Sequence, residues 1–298
     1  MSARVRMSEL SWVEIERRLA RDAIVIVPVG SLEQHGHHLP LGVDTFLATA
    51  IAERVALRID ALVAPVIPYG YKSQPRTGGG DHFPGTTGLD GATLTGIVRD
   101  VVRELARHGA KRIAIVDGHY ENEMFLTEAV DLAIRELGRD GLDDTRVVKL
   151  RYFEEVPEET IGLLWPDDYP GMALEHAALM ETSMMLHVAP ELVDLAIAPD
   201  EPSALFPGYD AYPPDRSLVP PSGALSSPGR ATAQFGEHLV ETFVDAVTTA
   251  LTRGFAWAGS ARAHGVRDTR RPLVLRRRCH QTDRLLVRRV IQRDLGVG

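Results

Sequence analysis

The stretch Ile24-Val25-Ile26-Val27-Pro28-Val29-Gly30-Ser31-Leu32-Glu33-Gln34-His35-Gly36-His37-His38-Leu39-Pro40-Leu41-Gly42-Val43-Asp44-Thr45 sets an apolar, β-branched run directly before a loop crowded with metal-ligand side chains. A run of this kind ending in Gly30 and Ser31 reads as a buried parallel strand. Its loop then lies at the carboxyl edge of a sheet, where open α/β folds bind ligands. Glu33 and His35, two apart on an extended segment, point the same way, and Asp44 returns from across the turn at 40–42. Three His and two carboxylates fall within residues 33–44, which makes a metal site a sharper reading than a polar surface loop.

Working outward, Ser11 and Glu14 have capping-box spacing and open a helix over 11–20, which feeds the strand at 23–29. Residues 44–57, with Leu47, Ile51 and Val55 at helical spacing, predict a second helix, and 61–67 a short strand. Residues 68–90 form a long connection, of the kind that is often functional. Within it Gly78, Gly79 and Gly80 let the backbone approach a ligand or take positive φ, but no phosphate-cradling helix follows. Asp90 is placed to cap a helix bearing Leu94, Ile97, Val98, Val101 and Leu105 on one face, closed by Gly109.

A strand at 112–116 opens into Asp117-Gly118-His119-Tyr120-Glu121-Asn122. This repeats the first pattern, a buried strand followed by His and Glu two apart. A helix over 121–137 turns Leu126, Val130 and Ile134 inward and ends at Gly138, and a further strand covers 145–150. Residues 151–172 read as irregular. A helix over 175–187 places Leu179, Met180 and Met184 in the core, and Pro190 stops it. The segment 198–230 holds eight Pro and reads as a surface wrap or a subunit contact. A last amphipathic helix over 232–252 turns Leu239, Val240, Phe243, Val247 and Leu251 inward. The alternation of strands and helices reads as α/β.

With 298 residues, 44% of them hydrophobic and 25% charged, the chain can bury a full core. The expected division is one domain over 1–258 and a basic tail over 259–298. Cys279 is the single cysteine, which excludes a disulfide framework and a thiolate zinc site, so any metal falls to His, Asp and Glu. No apolar signal core and no stretch of roughly 18 apolar residues is present, so a cytoplasmic protein without a membrane span is expected. The net charge of −8 argues against nucleic-acid binding. Of the 33 basic and 41 acidic residues, ten Arg and three Asp lie in 266–298, leaving 23 and 38 in an acidic body. The basic segment reads as a flexible tail or a subunit contact.

Two strand ends carrying Glu33, His35, Asp44, His119 and Glu121 offer three carboxylates and two imidazoles. That inventory suits two divalent cations sharing a bridging carboxylate, with Asp44 the natural bridge. Nitrogen and oxygen donors without sulfur suit Zn²⁺, Mn²⁺ or both. Divalent cations lower the pKa of water from 15.7 to about 7, and the chemistry that follows is hydrolysis of an amide-like bond. His37 and His38 read as supporting or surface residues, and His82 is left open.

Four motifs resemble the creatininase (creatinine amidohydrolase) family. They are the segment 30–45, Tyr-Gly-Tyr-Lys-Ser-Gln with Gly-Gly-Gly-Asp-His-Phe-Pro-Gly-Thr-Thr at 69–87, Gly-His-Tyr-Glu-Asn at 118–122, and Glu-His-Ala-Ala-Leu-Met-Glu-Thr-Ser at 175–183. The resemblance runs from about residue 8 to 253. It implies a three-layer α/β/α fold with a mostly parallel central sheet and assembly as a homohexamer. By the same resemblance Glu33, Asp44 and His119 hold one metal, while His35, Asp44 and Glu121 hold the other. His176 is implied as the catalytic proton-transferring residue, beside Glu121. Thr77, Tyr120, Phe153, Met172, Ala173 and His176 are the implied substrate contacts, with Phe153 and Met172 where creatininases place Trp and Ala173 where they place an acid. Trp165 is a candidate to fill that gap.

The function implied is opening of the cyclic amide of creatinine to creatine by two Zn²⁺ or Mn²⁺ ions. Alternatives are hydrolysis of another small cyclic or linear amide or a modified peptide, and, from another class, a non-catalytic scaffold stabilised by metal.

Overall fold

The structure, a computed structural model, describes residues 4–263 except 155 and 168, and side chains only as far as 256. The chain divides into two units, Met1–Gly259 and Ser260–Gly298. Beyond Ala263 the expected basic tail lies outside the described residues.

The first half runs α1 (Trp12–Leu19), β1 (Ile24–Val29), α2 (Val43–Ile59), β2 (Leu62–Val63), α3 (Pro75–Gly78) and α4 (Gly91–Arg107). It continues β3 (Arg112–Asp117), α5 (Glu123–Arg139), β4 (Arg146–Arg151), α6 (Glu158–Leu164), α7 (Leu179–Val188) and α8 (Ala233–Ala263). The four strands are all parallel in the order β2-β1-β3-β4. Ser11 accepts from the Glu14 amide and caps α1, as its spacing predicts.

Side chains on the two central strands alternate between two cores. Ile24, Ile26, Ala114 and Val116 pack with α2, α7 and α8, where Leu47, Ile51, Met184, Phe243 and Val247 are buried. Val25, Val27, Val29, Ile113 and Ile115 pack with Leu94, Val98, Leu126 and Leu137 of α4 and α5. Burying each of these larger side chains stabilises the fold by about 1.5–3 kcal/mol. Helices therefore cover both faces of the sheet, in three layers.

From β1 the chain steps to β2 on one side and later to β3 on the other. Strand order thus reverses between β1 and β3, and the crevice at their carboxyl ends is where a doubly wound sheet binds ligands. Both ligand loops open into it.

Several expected elements shift. The strand at 61–67 shortens to Leu62–Val63 plus a bridge from Val29 to Ile67. The long connection contains α3, and the irregular 151–172 segment contains α6. Asp90 makes no side-chain cap because its carboxylate pairs with Lys72. Ile97 and Ile134 face outward, because α4 and α5 bury Leu94, Val98, Val102 and Leu126, Ala129, Ala133, Leu137 instead. Small alanines form part of the contact face, which a search for large apolar residues passes over. Helix α5 also continues through Gly138 to Arg139. Most consequential, residues 175–178 are not helical, and α7 starts at Leu179.

Candidate metal centre and active site

The ends of β1 and β3 are tied together by one side chain. Asn122 Nδ2 donates to the Gly30 carbonyl (3.2 Å) and to Asp117 Oδ1 (2.9 Å), while its Oδ1 accepts from the Tyr71 amide (2.8 Å). Asp117 Oδ1 also accepts from the His119 amide at 3.1 Å. Burial pushes the Asp117 carboxyl up to about 7, against the hydrogen bonds from Asn122 and His119. Asn122 is fully buried, so removing it strands three partners. Asn122→Ala is expected to lose about 2–4 kcal/mol of stability at roughly 1 kcal/mol per bond, read from the urea midpoint at unchanged slope.

Above the crevice the glycine-rich loop comes close. A Cβ on Gly70 would lie 2.7 Å from both Asn122 Oδ1 and the Gly30 carbonyl, and one on Gly78 would lie 2.4 Å from Ser73 Oγ and 2.8 Å from Glu33 Oε2. Neither position has room for a side chain, and Gly79 and Gly80 take the positive φ, +73° and +89°, that the run of glycines allows.

Three overlapping groups of ligand-capable residues result: Glu33 with Asp44 and His119, His35 with Asp44 and Glu181, and Glu33 with His35 and His176. Asp44, in the first turn of α2, turns one oxygen to each imidazole, Oδ1 lying 3.3 Å from His35 Nε2 and Oδ2 3.1 Å from His119 Nδ1. Glu33 Oε1 lies 3.0 Å from His119 Nδ1. Each imidazole is oriented by its outer nitrogen. His35 Nδ1 donates to the Glu33 carbonyl (3.1 Å) and His119 Nε2 to the Tyr71 carbonyl (2.9 Å), which aims His35 Nε2 and His119 Nδ1 inward at the carboxylates, where a cation would take the place of their protons.

Glu121 departs from the expected ligand set. It is absent from the groups that contain His35 and Asp44 among the described residues, and Glu181, which sequence reasoning missed, stands there instead. Glu121 Oε1 accepts from Thr77 Oγ1 (2.5 Å) and the Gln74 amide (3.1 Å), and Oε2 lies 3.3 Å from His119 Nε2. The Thr77 hydroxyl and the start of α3 thus hold Glu121 on the outer side of His119.

The charge balance calls for cations. Glu33, Asp44, Glu121 and Glu181 bring up to four negative charges into a site where Glu33, His35, Asp44 and His119 are all at most 2% exposed. Burial pushes the Glu33 carboxyl up to about 7, with the Asp44 and Glu121 charges adding to it and His119 opposing. Burial disfavours charge on both imidazoles, yet Glu181 and Asp44 hold His35, and Glu33 and Glu121 hold His119, well above the ordinary histidine range. Glu33 Oε2, His35 Nε2, Asp44 Oδ2 and Glu121 Oε2 are buried without a hydrogen-bond partner, a costly state unless the atoms meet something positive. A nitrogen and oxygen donor set with orphaned buried atoms fits divalent cations.

His176 closes the site from the loop before α7. Its Nε2 donates to the Gln34 carbonyl at 2.9 Å, and its Nδ1 faces Glu33 Oε1 at 3.7 Å. The Gln34 amide Nε2 in turn donates to the Gly78 and Gly223 carbonyls. That bond fixes the tautomer with the basic Nδ1 directed into the site. Burial and the neighbouring His35 hold His176 well below the ordinary histidine range, so it is neutral and able to accept a proton.

Over these groups lies a pocket lined by Thr77, Tyr120, Phe153, Met172 and His176, as expected, and by Tyr152, Glu175 and Met180, which were not. Ala173 is exposed and outside the lining. Trp165 does not fill the gap, because it is buried against Tyr169 and the α8 side of the core. His37 is exposed, His38 is buried with Nε2 2.8 Å from Thr182 Oγ1, and His82 stacks on Phe83.

The sequence profile of the creatininase family, described as creatinine amidohydrolase, matches residues 8–251. The chain belongs to the creatininase family. A creatinine amidohydrolase of Pseudomonas putida is 49% identical over 257 residues, covering 86% of this chain and 99% of the relative. Among solved structures, a creatininase with manganese matches with a TM-score of 0.83 at 49% identity, covering 84% of this chain and 98% of that one. A glutamate-to-glutamine creatininase mutant of Zn–Zn type matches with a TM-score of 0.82 at 49% identity, covering 85% and 98%.

In this creatininase-family chain Gly78 offers a local test of the site. Gly78→Ala drives a methyl group into Glu33 Oε2, so cation affinity is expected to fall about 10- to 100-fold, the range seen when ligand support is lost, measured by titration of the chelated protein. Gly96→Ala in α4, where nothing lies within 4 Å of the new Cβ, is the control and should stabilise the helix by about 0.5–1 kcal/mol.

Proposed function

We propose that the chain is a two-cation amidohydrolase that opens the cyclic amide of creatinine to give creatine. The observation that carries this reading is Asp44, which sends one oxygen to each of two buried ligand groups at the floor of a pocket. The P. putida creatinine amidohydrolase, matched over nearly its whole length, supports the substrate. Zinc and manganese forms among the matched folds support the ions.

Glu33, Asp44 and His119 would hold one divalent cation, and His35 and Asp44 the other, with Zn²⁺ or Mn²⁺ in either. Bound there, the cations would polarise the carbonyl of the amide and lower the pKa of the attacking water to about 7. His176, neutral and fixed by Gln34, takes the water proton at Nδ1 and returns it to the departing ring nitrogen as the carbon–nitrogen bond breaks. Glu121, held by Thr77 and Gln74, faces the outer nitrogen of His119 and supports that ligand. Tyr120, Phe153 and Met172 present two rings and a thioether to a flat, polar heterocycle.

The metallohydrolase unit is taken as 1–258. A cytoplasmic homohexamer is the assembly we propose for it. No helix of the described residues is long and apolar enough to cross a membrane. The proline-rich 198–230 segment exposes Leu205, Tyr209 and Tyr212, a surface suited to meeting other subunits.

The test is steady-state conversion of creatinine, measured as creatine formed, by protein loaded with Zn²⁺ or Mn²⁺, by chelator-treated protein and by Glu121→Gln. At least about one turnover per second with metal, within the ordinary enzyme range, lost on chelation and reduced in the variant, is expected. Protein that binds two cations but leaves creatinine intact would exclude this substrate and redirect the search to other amides.

A further inference from the structure

We propose that Arg151 is a positioning residue that sets affinity for the substrate by holding the rings of Tyr120 and Phe153 as fixed walls of the pocket. The role in creatinine binding rests on the substrate reading above. Arg151 ends β4 in register with Asp117, the last residue of β3, so it stands beside the loop that carries His119, Tyr120 and Glu121. Its guanidinium carbon lies 4.9 Å from the centroid of the Tyr120 ring and 5.8 Å from that of Phe153, both within the roughly 6 Å reach of a cation–π contact. Both rings line the pocket and Arg151 does not, so the cation touches the walls from outside the cavity.

The guanidinium is itself held. Nε and Nη2 donate to the two oxygens of Glu154 at 2.7 and 2.9 Å, a planar fork that a lysine cannot reproduce. Glu123 Oε2 lies 3.9 Å from Nε, while Glu123 Oε1 accepts from Lys149 at 2.6 Å. The Arg151 side chain is only 16% exposed, and partial desolvation strengthens its attraction to the rings. Phe153 is held on a second side by Tyr152, edge to face with centroids 5.1 Å apart, whereas Tyr120 is 39% exposed. A ring already ordered loses less freedom when a flat ligand stacks on it, so the brace raises affinity by preorganisation. It acts on ground state and transition state alike, because Arg151 touches walls and no cation ligand.

The experiment compares metal-loaded full-length wild type with Arg151→Met, which keeps the stem but removes the charge and the fork. The variant should raise KM for creatinine about 2- to 30-fold, the span of a cation–π contact. Its kcat should stay within about twofold of wild type, the signature of lost uniform binding, with metal content unchanged. Arg151→Lys, which keeps the cation without the fork, should give a smaller rise in KM, and it carries the test if Arg151→Met does not fold. In a Tyr120→Leu, Phe153→Leu background Arg151→Met should add nothing further to KM, because its partners are gone. An unchanged KM, an equal rise in that background, or a kcat that falls together with metal content would each overturn the proposal. A wild type that leaves creatinine intact would overturn the substrate reading alone. Crystal structures of wild type and Arg151→Met would then decide, displaced rings supporting the brace and unmoved rings overturning it.

Discussion

Asp44→Asn is expected to bind substantially less of both cations and to lower kcat on creatinine by at least about 10³-fold. The magnitude follows from the several kilocalories per mole that a cation supplies to a polarised carbonyl, at 1.36 kcal/mol per tenfold in rate. The breadth of the effect follows from geometry, since Oδ1 serves His35 and Oδ2 serves His119. Burial works against the Asp44 carboxylate, but His35 and His119 hold its pKa well below the usual range, so it stays ionised at any working pH. An amide at this position keeps the shape and one acceptor while removing the charge. Metal content by mass spectrometry, measured beside kcat, checks the prediction. Full occupancy of both sites in the folded variant would remove Asp44 from its bridging role.

His176→Gln should behave differently, with both cations retained and kcat reduced by about 10²–10⁴-fold, the ordinary contribution of a general base or acid. Gln can still donate to the Gln34 carbonyl, so the loop stays in place while the basic nitrogen is lost. The pH profile separates the roles. Burial and His35 keep His176 below the ordinary histidine range, so its useful, unprotonated form is present above that range and is lost only as pH falls through its lowered pKa. A limb near pH 7 belongs to the water whose ionisation the cations promote and should persist in the variant. Disappearance of that limb in His176→Gln would assign it to the imidazole instead.

Much of this was legible in the chain itself. The buried runs 24–29 and 112–117 carry no helical periodicity, so they read as central strands, and the ligands after them follow from where such strands end. Glu33, His35, Asp44 and His119 were placed that way and meet in space. Glu121 was placed the same way and paired with His35 and Asp44 by resemblance; it meets His119 but not His35, because the hydroxyl of Thr77 and the amide of Gln74 compete for its carboxylate. Glu181 was missed because it sits in a helix whose Leu179, Met180 and Met184 read as core. Taking that helix to begin at Glu175 hid the turn that aims His176 inward. Nothing in the residue type of Ala177 announces positive φ, since tertiary contacts impose it. Ala129 and Ala133 illustrate the same limit on α5, where close packing of small side chains outweighs the pull of Ile134.

The ligand groups draw on residues from 33 to 181, from two strand ends and the first turns of α2 and α7. Cys279 is the chain's sole cysteine, so no intrachain disulfide can join these segments. Bound cations would act as reversible cross-links between them. An ion present at a hundred times its dissociation constant adds about 2.7 kcal/mol to folding when only the folded state binds it, a large share of the stability of an ordinary domain. The thermal midpoint of this protein should therefore rise and fall with free Zn²⁺ or Mn²⁺. A cell short of these metals would lose the protein to proteolysis as well as losing its turnover.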